Sequence, residues 1–193
     1  MISLFNVTWS TNTAGPSPFN NKRTEVFFKG CKRAEEGNPC KGCFNNKLWN
    51  SEATIRHKPE EVASQINKFA PNKYVTIGGG EPTDQLNDLI ILCKLLKAYN
   101  FHIMVYTWKS LLKHKLLWQL VPYIDILIDG EYDSSQRLYK EEAKDGFLSS
   151  IGSGNQVVWD LKRYNETGLL TCARMENLKG LELDTENKLI YIY

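Results

Sequence analysis

Hydrophobic residues alternate with polar ones, or form short apolar runs, in several segments that predict β-strands. The first is "ISLFNVTW" at residues 2–9, and an aromatic, β-branched run, "TEVFFKG", ends at Gly30. Strands are also predicted at "KYVTIGGGEP", "FHIMVYT", "YIDILIDGEY", "QVVWDL", "LLTCAR" and "NKLIYIY". Residues 11–22 are mostly turn formers and predict a loop.

A helical period separates several of these strands. "KPEEVASQINKFA" places Val62 and Ile66 on one face, and Pro59 suits a first helical turn. "TDQLNDLIILCKLLKAYN" predicts a long helix, and "KSLLKHKLLWQLV", residues 109–121, predicts another amphipathic helix. Because strands and helices alternate, parallel strands with right-handed crossovers are favoured, in an α/β sheet or an open barrel.

Composition narrows the class of protein. The 193 residues are 42% hydrophobic and 24% charged, which predicts one globular domain over residues 1–193. The net charge is +2 without a basic stripe, so nucleic-acid binding is not expected. No apolar run is long enough for a membrane span, and "MISLFNVTWS" lacks the features of a signal peptide. We therefore expect a cytoplasmic protein, whose clustered cysteines are metal ligands or catalytic groups rather than disulfides.

Three of the five cysteines lie in one short loop, "GCKRAEEGNPCKGCFNN". Cys40 and Cys43 form a C-x-x-C pair, and Cys31 lies nine positions upstream. These residues fit part of a zinc site with His57 as a distant fourth ligand, an iron–sulfur cluster, or a group of reactive thiols. In a cluster of four irons, three thiolates leave one iron open to a substrate.

The other two cysteines do not obviously complete the site. Cys93 falls on the apolar face of the long helix, where a buried thiol is expected. Cys172 lies in a predicted strand and is expected in the core.

A glycine-rich strand end, "GGGEP" at residues 78–82, is the second candidate for chemistry. Glycines let a ligand approach the backbone closely, and Glu81 can accept a hydrogen bond from an ammonium group. The cysteine loop, the glycines and "DGEY" each follow a predicted strand. Because ligands of α/β sheets bind at the carboxyl ends of strands, we expect these three segments at one rim.

The cysteine loop followed by "GGGEP" resembles the radical S-adenosylmethionine (SAM) enzymes, and more narrowly the activating enzymes of anaerobic (class III) ribonucleotide reductase. The matching segments are "CKGCFN", "GGEPTDQ", "VYT", "YIDILIDGEYD" and "GSGNQVV", in the family's order. The resemblance implies a partial, open TIM-like β/α barrel of the radical SAM type. One departure is the eight residues between Cys31 and Cys40, where the family usually has three. Loop closure makes this difference cost only roughly 1 kcal/mol.

The resemblance also implies site residues. Cys31, Cys40 and Cys43 hold a 4Fe-4S cluster, and Gly79, Gly80 and Glu81 hold the methionyl amine of SAM. Three further residues have an alternative structural role. Phe44 packs near the adenine or in the core, and Thr107 and Asp129 contact ribose or methionyl groups or cap turns.

The activity implied is reductive SAM cleavage, which generates a glycyl radical on anaerobic ribonucleotide reductase as the partner. Flavodoxin or ferredoxin is the expected kind of electron donor. Two alternatives remain. One is a small-molecule radical SAM enzyme such as a 7-carboxy-7-deazaguanine synthase, and the other is a non-catalytic zinc-binding module.

Overall fold

The computed structural model describes residues 1–11, 22–51, 55–137, 151–174, 179–183 and 189–192. In these residues ten strands form one sheet, in the order β10-β9-β8-β7-β6-β5-β4-β2-β1-β3. The strands are β1 (Ile2–Thr11), β2 (Arg23–Phe28), β3 (Arg56–His57), β4 (Tyr74–Gly79), β5 (His102–Tyr106), β6 (Ile126–Asp129), β7 (Val157–Asp160), β8 (Leu170–Arg174), β9 (Lys179–Leu183) and β10 (Leu189–Ile192).

Helices in the described residues are fewer than the strands, and α2 and α3 are the long ones. They are α1 (Lys32–Glu35), α2 (Pro59–Phe69), α3 (Leu86–Ala98) and α4 (Leu161–Thr167). Short 3-10 segments include Pro82–Gln85, which leads directly into α3. The helices predicted over residues 58–70 and 83–100 are confirmed as α2 and as this 3-10 segment with α3.

The central part of the sheet is parallel. Neighbouring strands β2, β4, β5 and β6 run in one direction, with Phe28 opposite Gly79 and Ile77 opposite Val105. The flanking strands are antiparallel, from β1 on one side and from β7 onward on the other. The α/β class is therefore confirmed. The described sheet ends at β3 and β10, and the radical SAM barrel stays a prediction.

One hydrophobic core cluster joins α2 and α3 to the parallel strands. Val62 and Ile66 of α2 and Leu92 of α3 are buried in it, as their helical spacing requires. Cys93 is fully buried in the same cluster, which confirms its predicted core position. Cys172 lies in β8, as predicted.

The helix predicted over residues 109–121 is wrong. Turns occupy residues 111–113, and 3-10 segments follow at Lys115–Gln119 and Val121–Tyr123. Side chains from the ends of β5 and β6 bind the backbone donors: Thr107 Oγ1 accepts from Lys109 N at 3.1 Å, and Asp129 Oδ2 from Leu111 N at 2.5 Å. The apolar spacing was misleading because a series of short turns, without a continuous helix, buries Leu111, Leu117 and Leu120.

Other differences are smaller. The sequence did not predict α1, β3, α4 or β9. Most of the loop predicted at residues 11–22 lies outside the described residues, and Thr11 itself ends β1. In the part of the chain that the structure describes, every helix is too short or too polar to cross a membrane.

The packing of α3 gives a direct test of this core. Leu92 is completely buried, whereas its neighbour Ile91 is 39% exposed. We expect Leu92→Ala to lower the free energy of unfolding by about 2–5 kcal/mol, because it leaves a cavity. The matched variant Ile91→Ala is expected to cost less than about 1 kcal/mol. Urea unfolding followed by circular dichroism measures both. Equal losses would contradict the observed orientation of α3.

Candidate metal centre

The candidate site is built on the carboxyl ends of the parallel strands. Residues 29–51 follow β2, residues 80–85 follow β4, residues 107–114 follow β5, and residues 130–137 follow β6. The three segments expected at one rim follow the parallel strands β2, β4 and β6, with β5 between the last two. Their side chains meet there, since Arg33 contacts Glu131 and Asp84 contacts Lys109.

Backbone hydrogen bonds join the end of β4 to the start of the cysteine loop. Gly80 N donates to Phe28 O at 2.9 Å, and Glu81 N donates to Gly30 O at 2.7 Å. The side chain of Asn45, two residues after Cys43, donates to Gly79 O at 3.1 Å. The parallel pairing thus continues past the strands, so both ends of the cysteine loop contact the glycine segment.

This close approach explains two of the glycines. A Cβ on Gly80 would lie 2.2 Å from Gly30 O, and one on Gly79 would lie 2.2 Å from Phe28 O. Gly79 also has a φ of +119°, which residues other than glycine rarely adopt. The sequence predicts that a ligand approaches these glycines closely. In the structure, the backbone of Phe28 and Gly30 does so. The predicted contact of Gly79 and Gly80 with a methionyl amine stays a prediction.

The cysteine loop also closes on itself. Gly30 N donates to Leu48 O and Cys31 N donates to Trp49 O, each at 2.8 Å. Residues 32–47 therefore leave the sheet and return at the same place. Cys31 lies at the base of this loop and is buried, whereas Cys40 and Cys43 lie further along it and are half-buried.

Burial disfavours the charged form of two of these thiols. It raises the pKa of Cys31 to about 11, and the nearby Cys40 adds to this rise. The pKa of Cys40 is raised as well, first by burial, although the neighbouring Arg33 lowers it. Without a cation these thiols stay protonated at neutral pH, and a bound metal reverses that preference. Three free thiols in one loop are a donor set that suits iron and sulfide.

The described residues do not show the ligation itself. Across them, no three or more His, Cys, Asp or Glu side chains are grouped closely enough to hold a metal ion. His57, the alternative zinc ligand, lies in β3 opposite Ile2. The roles of Cys31, Cys40 and Cys43 as cluster ligands therefore stay a prediction, supported by their shared loop and their chemistry.

Glu81 connects two strand ends through its buried carboxylate. Oε1 accepts from Thr83 N at 3.0 Å and from the hydroxyls of Thr83 and Thr107 at 2.5 and 2.8 Å. Oε2 accepts from Trp108 N at 3.0 Å. Burial raises the pKa of Glu81, while these donors and the charge of Lys109 favour the ionised form. All of these contacts are within the protein, and a contact with an ammonium group stays a prediction.

Thr107 and Asp129 are buried and both cap the backbone of the segment after β5. Asp129 Oδ2 also accepts from Trp159 Nε1 at 2.9 Å. The turn-capping alternative that the sequence left open is therefore observed for both. Their contact with ribose or methionyl groups stays a prediction.

Phe44, the candidate for adenine packing, is 69% exposed, so its alternative role in the core is wrong. Its ring meets that of Tyr132 edge-on, with centroids 5.1 Å apart. Phe44, which is exposed, and Tyr132, which is half-buried, form an aromatic pair at the rim. Packing of Phe44 against an adenine stays a prediction.

A surface cleft of about 330 Å³ lies among the rim segments, and sequence reasoning missed two of its residues. Arg33 places its guanidinium over the ring of Trp108, 4.7 Å from the centroid. Trp108 Nε1 is buried and has no hydrogen-bond partner in the residues that the structure describes. Trp108 directly follows "VYT", so its place at a strand end was the signal available in the sequence.

Together the fold and the site define an α/β protein with a three-thiol loop at the carboxyl rim of a parallel sheet. The chain belongs to the family described as "4Fe-4S single cluster domain", which matches residues 20–159. This match includes all three cysteines of the loop and the "GGGEP" segment. The expected iron–sulfur class is therefore confirmed at the level of the family.

Three relatives are named anaerobic ribonucleoside-triphosphate reductase-activating protein. The one from Pasteurella multocida is 27% identical over 154 residues, covering 74% of this chain and 89% of the relative. The one from Haemophilus influenzae is 28% identical over 149 residues, covering 72% and 88%. The one from Vibrio cholerae is 26% identical over 145 residues, covering 70% and 86%. The resemblance that the motifs predicted is confirmed.

The contact between the glycine segment and the cysteine loop can be tested by adding one methyl group. Gly80→Ala forces a Cβ against Gly30 O, and such overpacking costs about 1–3 kcal/mol. Gly78→Ala is the matched control, because the nearest atom to its Cβ is an ordinary 3.7 Å away. We expect Gly80→Ala alone to lower both the free energy of unfolding and the iron bound after reconstitution. Two variants that behave alike would contradict the contact.

Proposed function

We propose that the chain is a radical SAM activase, which cleaves SAM reductively and generates a glycyl radical on anaerobic ribonucleotide reductase. One observation carries the proposal: a loop with three free thiols is hydrogen-bonded along its base to the glycine segment "GGGEP". The two motifs that the sequence separates are thus neighbours in the fold. The family match and the names of the three relatives support the same function.

In this proposal Cys31, Cys40 and Cys43 hold a 4Fe-4S cluster and leave one iron for SAM. When bound, such a cluster would supply the electron for reductive cleavage of SAM to methionine and a 5′-deoxyadenosyl radical, and that radical would remove a hydrogen atom from a glycine Cα of the reductase. The chain's own residues bind and orient the reactants. An open TIM-like β/α barrel of the radical SAM type is the expected frame.

Contacts with SAM are assigned to the rim. Gly79, Gly80 and Glu81 hold the methionyl amine. Thr107 and Asp129 contact ribose or methionyl groups. Because Glu81 is already bonded to Thr83, Thr107 and Trp108, its position is fixed before a ligand arrives. Phe44 is exposed at the rim and can pack against an adenine.

The reaction needs an outside electron, so the activase requires a reduced donor such as flavodoxin or ferredoxin. We propose a cytoplasmic setting for both. The separate proposal of a small-molecule radical SAM enzyme, such as a 7-carboxy-7-deazaguanine synthase, predicts SAM cleavage without any effect on a reductase. A zinc-binding module predicts neither.

Anaerobic reconstitution tests the cluster and the cleavage. With iron and sulfide, we expect about four irons per chain and, after SAM and a strong reductant, 5′-deoxyadenosine measured by chromatography. Cys43→Ala removes one thiolate and is expected to abolish 5′-deoxyadenosine formation. Cys93→Ala is the matched control, since Cys93 is a buried core thiol outside the loop, and it is expected to retain the activity. A colourless protein that binds a single zinc ion would overturn the proposal.

The partner is tested separately. We expect the reconstituted chain, SAM and reductant to produce a glycyl radical signal in electron paramagnetic resonance spectra of co-incubated anaerobic ribonucleotide reductase. The Cys43→Ala variant is expected to give no signal. Formation of 5′-deoxyadenosine without the radical signal would contradict the activase and favour the small-molecule enzyme.

A further inference from the structure

Two hydrogen bonds join the second and the seventh residue of the eight-residue segment between Cys31 and Cys40. Asn38 N donates to Arg33 O at 3.0 Å, and Arg33 Nε donates to Asn38 O at 2.6 Å. Arg33 lies two residues after Cys31, and Asn38 lies two residues before Cys40. The hydrogen-bonded pair of Arg33 and Asn38, which we call the neck, is therefore separated by one residue from a cysteine at each end of the segment.

Residues 34–37, which lie beyond this neck, are the end of α1 and the turn that follows it. Gly37 N donates to Ala34 O at 3.0 Å, and Gly37 has a φ of +83°, which suits glycine. Through the neck, only four residues separate the cysteines: Lys32, Arg33, Asn38 and Pro39. The eight-residue segment is thus folded so that its ends behave as those of a much shorter loop.

The neck is also attached to the rest of the rim. The Arg33 guanidinium forms an ion pair with Glu131, in which Nη2 lies 2.8 Å from Oε2, and it lies over the Trp108 ring. Its side chain is only 13% exposed. A planar guanidinium can bond a backbone carbonyl and a carboxylate while stacking on an indole, which a lysine cannot do. The two residues that contact the guanidinium follow neighbouring strands, since Trp108 comes after β5 and Glu131 after β6.

We propose that Arg33 is a positioning residue, which closes the neck of the Cys31–Cys40 segment and fixes it to Glu131 and Trp108, so that both thiols hold the same cluster. The inference rests on the proposed cluster. Its physical basis is pre-organisation: ligands already held in place need little ordering when iron binds. Without Arg33, the segment keeps its thiols but loses the side-chain bonds that set their separation.

The test measures how firmly iron is held, independently of catalysis. Arg33→Gln, Arg33→Lys and the wild type are reconstituted without oxygen, and iron transfer to a chelator is followed by absorbance. Lys32→Gln is the matched control, because it removes the same charge from the adjacent, exposed residue. We expect iron loss from Arg33→Gln to be roughly 10-fold faster or more, the usual effect of removing support for a metal ligand. Lys32→Gln is expected within about 2-fold of the wild type.

Arg33→Lys separates geometry from charge. It keeps the positive charge but loses the planar guanidinium with its several donors. We therefore expect a rate of iron loss close to that of Arg33→Gln. Circular dichroism of the metal-free variants tests whether they fold. A wild-type rate for Arg33→Gln, or for Arg33→Lys, would overturn the inference while leaving the proposed function intact. Failure of the wild type to bind any iron–sulfur cluster would instead overturn the proposed function.

Discussion

The site depends on the backbone contact between the end of β4 and the residues that follow β2. Gly80 N donates to Phe28 O, and Glu81 N donates to Gly30 O. The backbones of the two segments are therefore in direct contact. Glycine is required at positions 79 and 80 because a Cβ would collide with those carbonyls. The same contact places Cys31 directly beside the glycine segment. A cluster held by that thiol would therefore lie beside the "GGGEP" backbone.

From this contact, a chain of buried side-chain hydrogen bonds extends across the rim. Glu81 receives donors from Thr83, Thr107 and Trp108, and a carboxylate in such bonds gains about 1.5–3 kcal/mol from each. Asp129 continues the series by accepting from the segment after β5. Burial would make Glu81 costly without these donors. The rim from β4 to β6 is consequently cross-linked by hydrogen bonds, and Cys40 and Cys43 lie beyond it on their loop.

The sequence was sufficient for the features that depend on local period and composition. It predicted α2, α3, the parallel strands and the three-thiol loop, because each has a strong pattern of its own. The helix at residues 109–121 was wrong because leucines buried by short turns imitate a helical pattern, and because Asp129, from the neighbouring strand β6, accepts from Leu111 N. The neck between Arg33 and Asn38 was missed for a similar reason. One of its bonds joins two backbone groups, which any sequence provides, and the other joins the Arg33 side chain to a backbone carbonyl.

Two charge pairs join segments of the rim that follow different strands. Asp84 after β4 pairs with Lys109 after β5, and Glu131 after β6 pairs with Arg33 of the cysteine loop. Exposed pairs contribute little to stability, and Glu131 is half exposed. Each pair nevertheless joins two segments beyond the ends of their strands, where the hydrogen bonds of the sheet no longer connect them. A site assembled from four separate segments needs such links, because the relative positions of its ligands are set by side chains once the strands have ended.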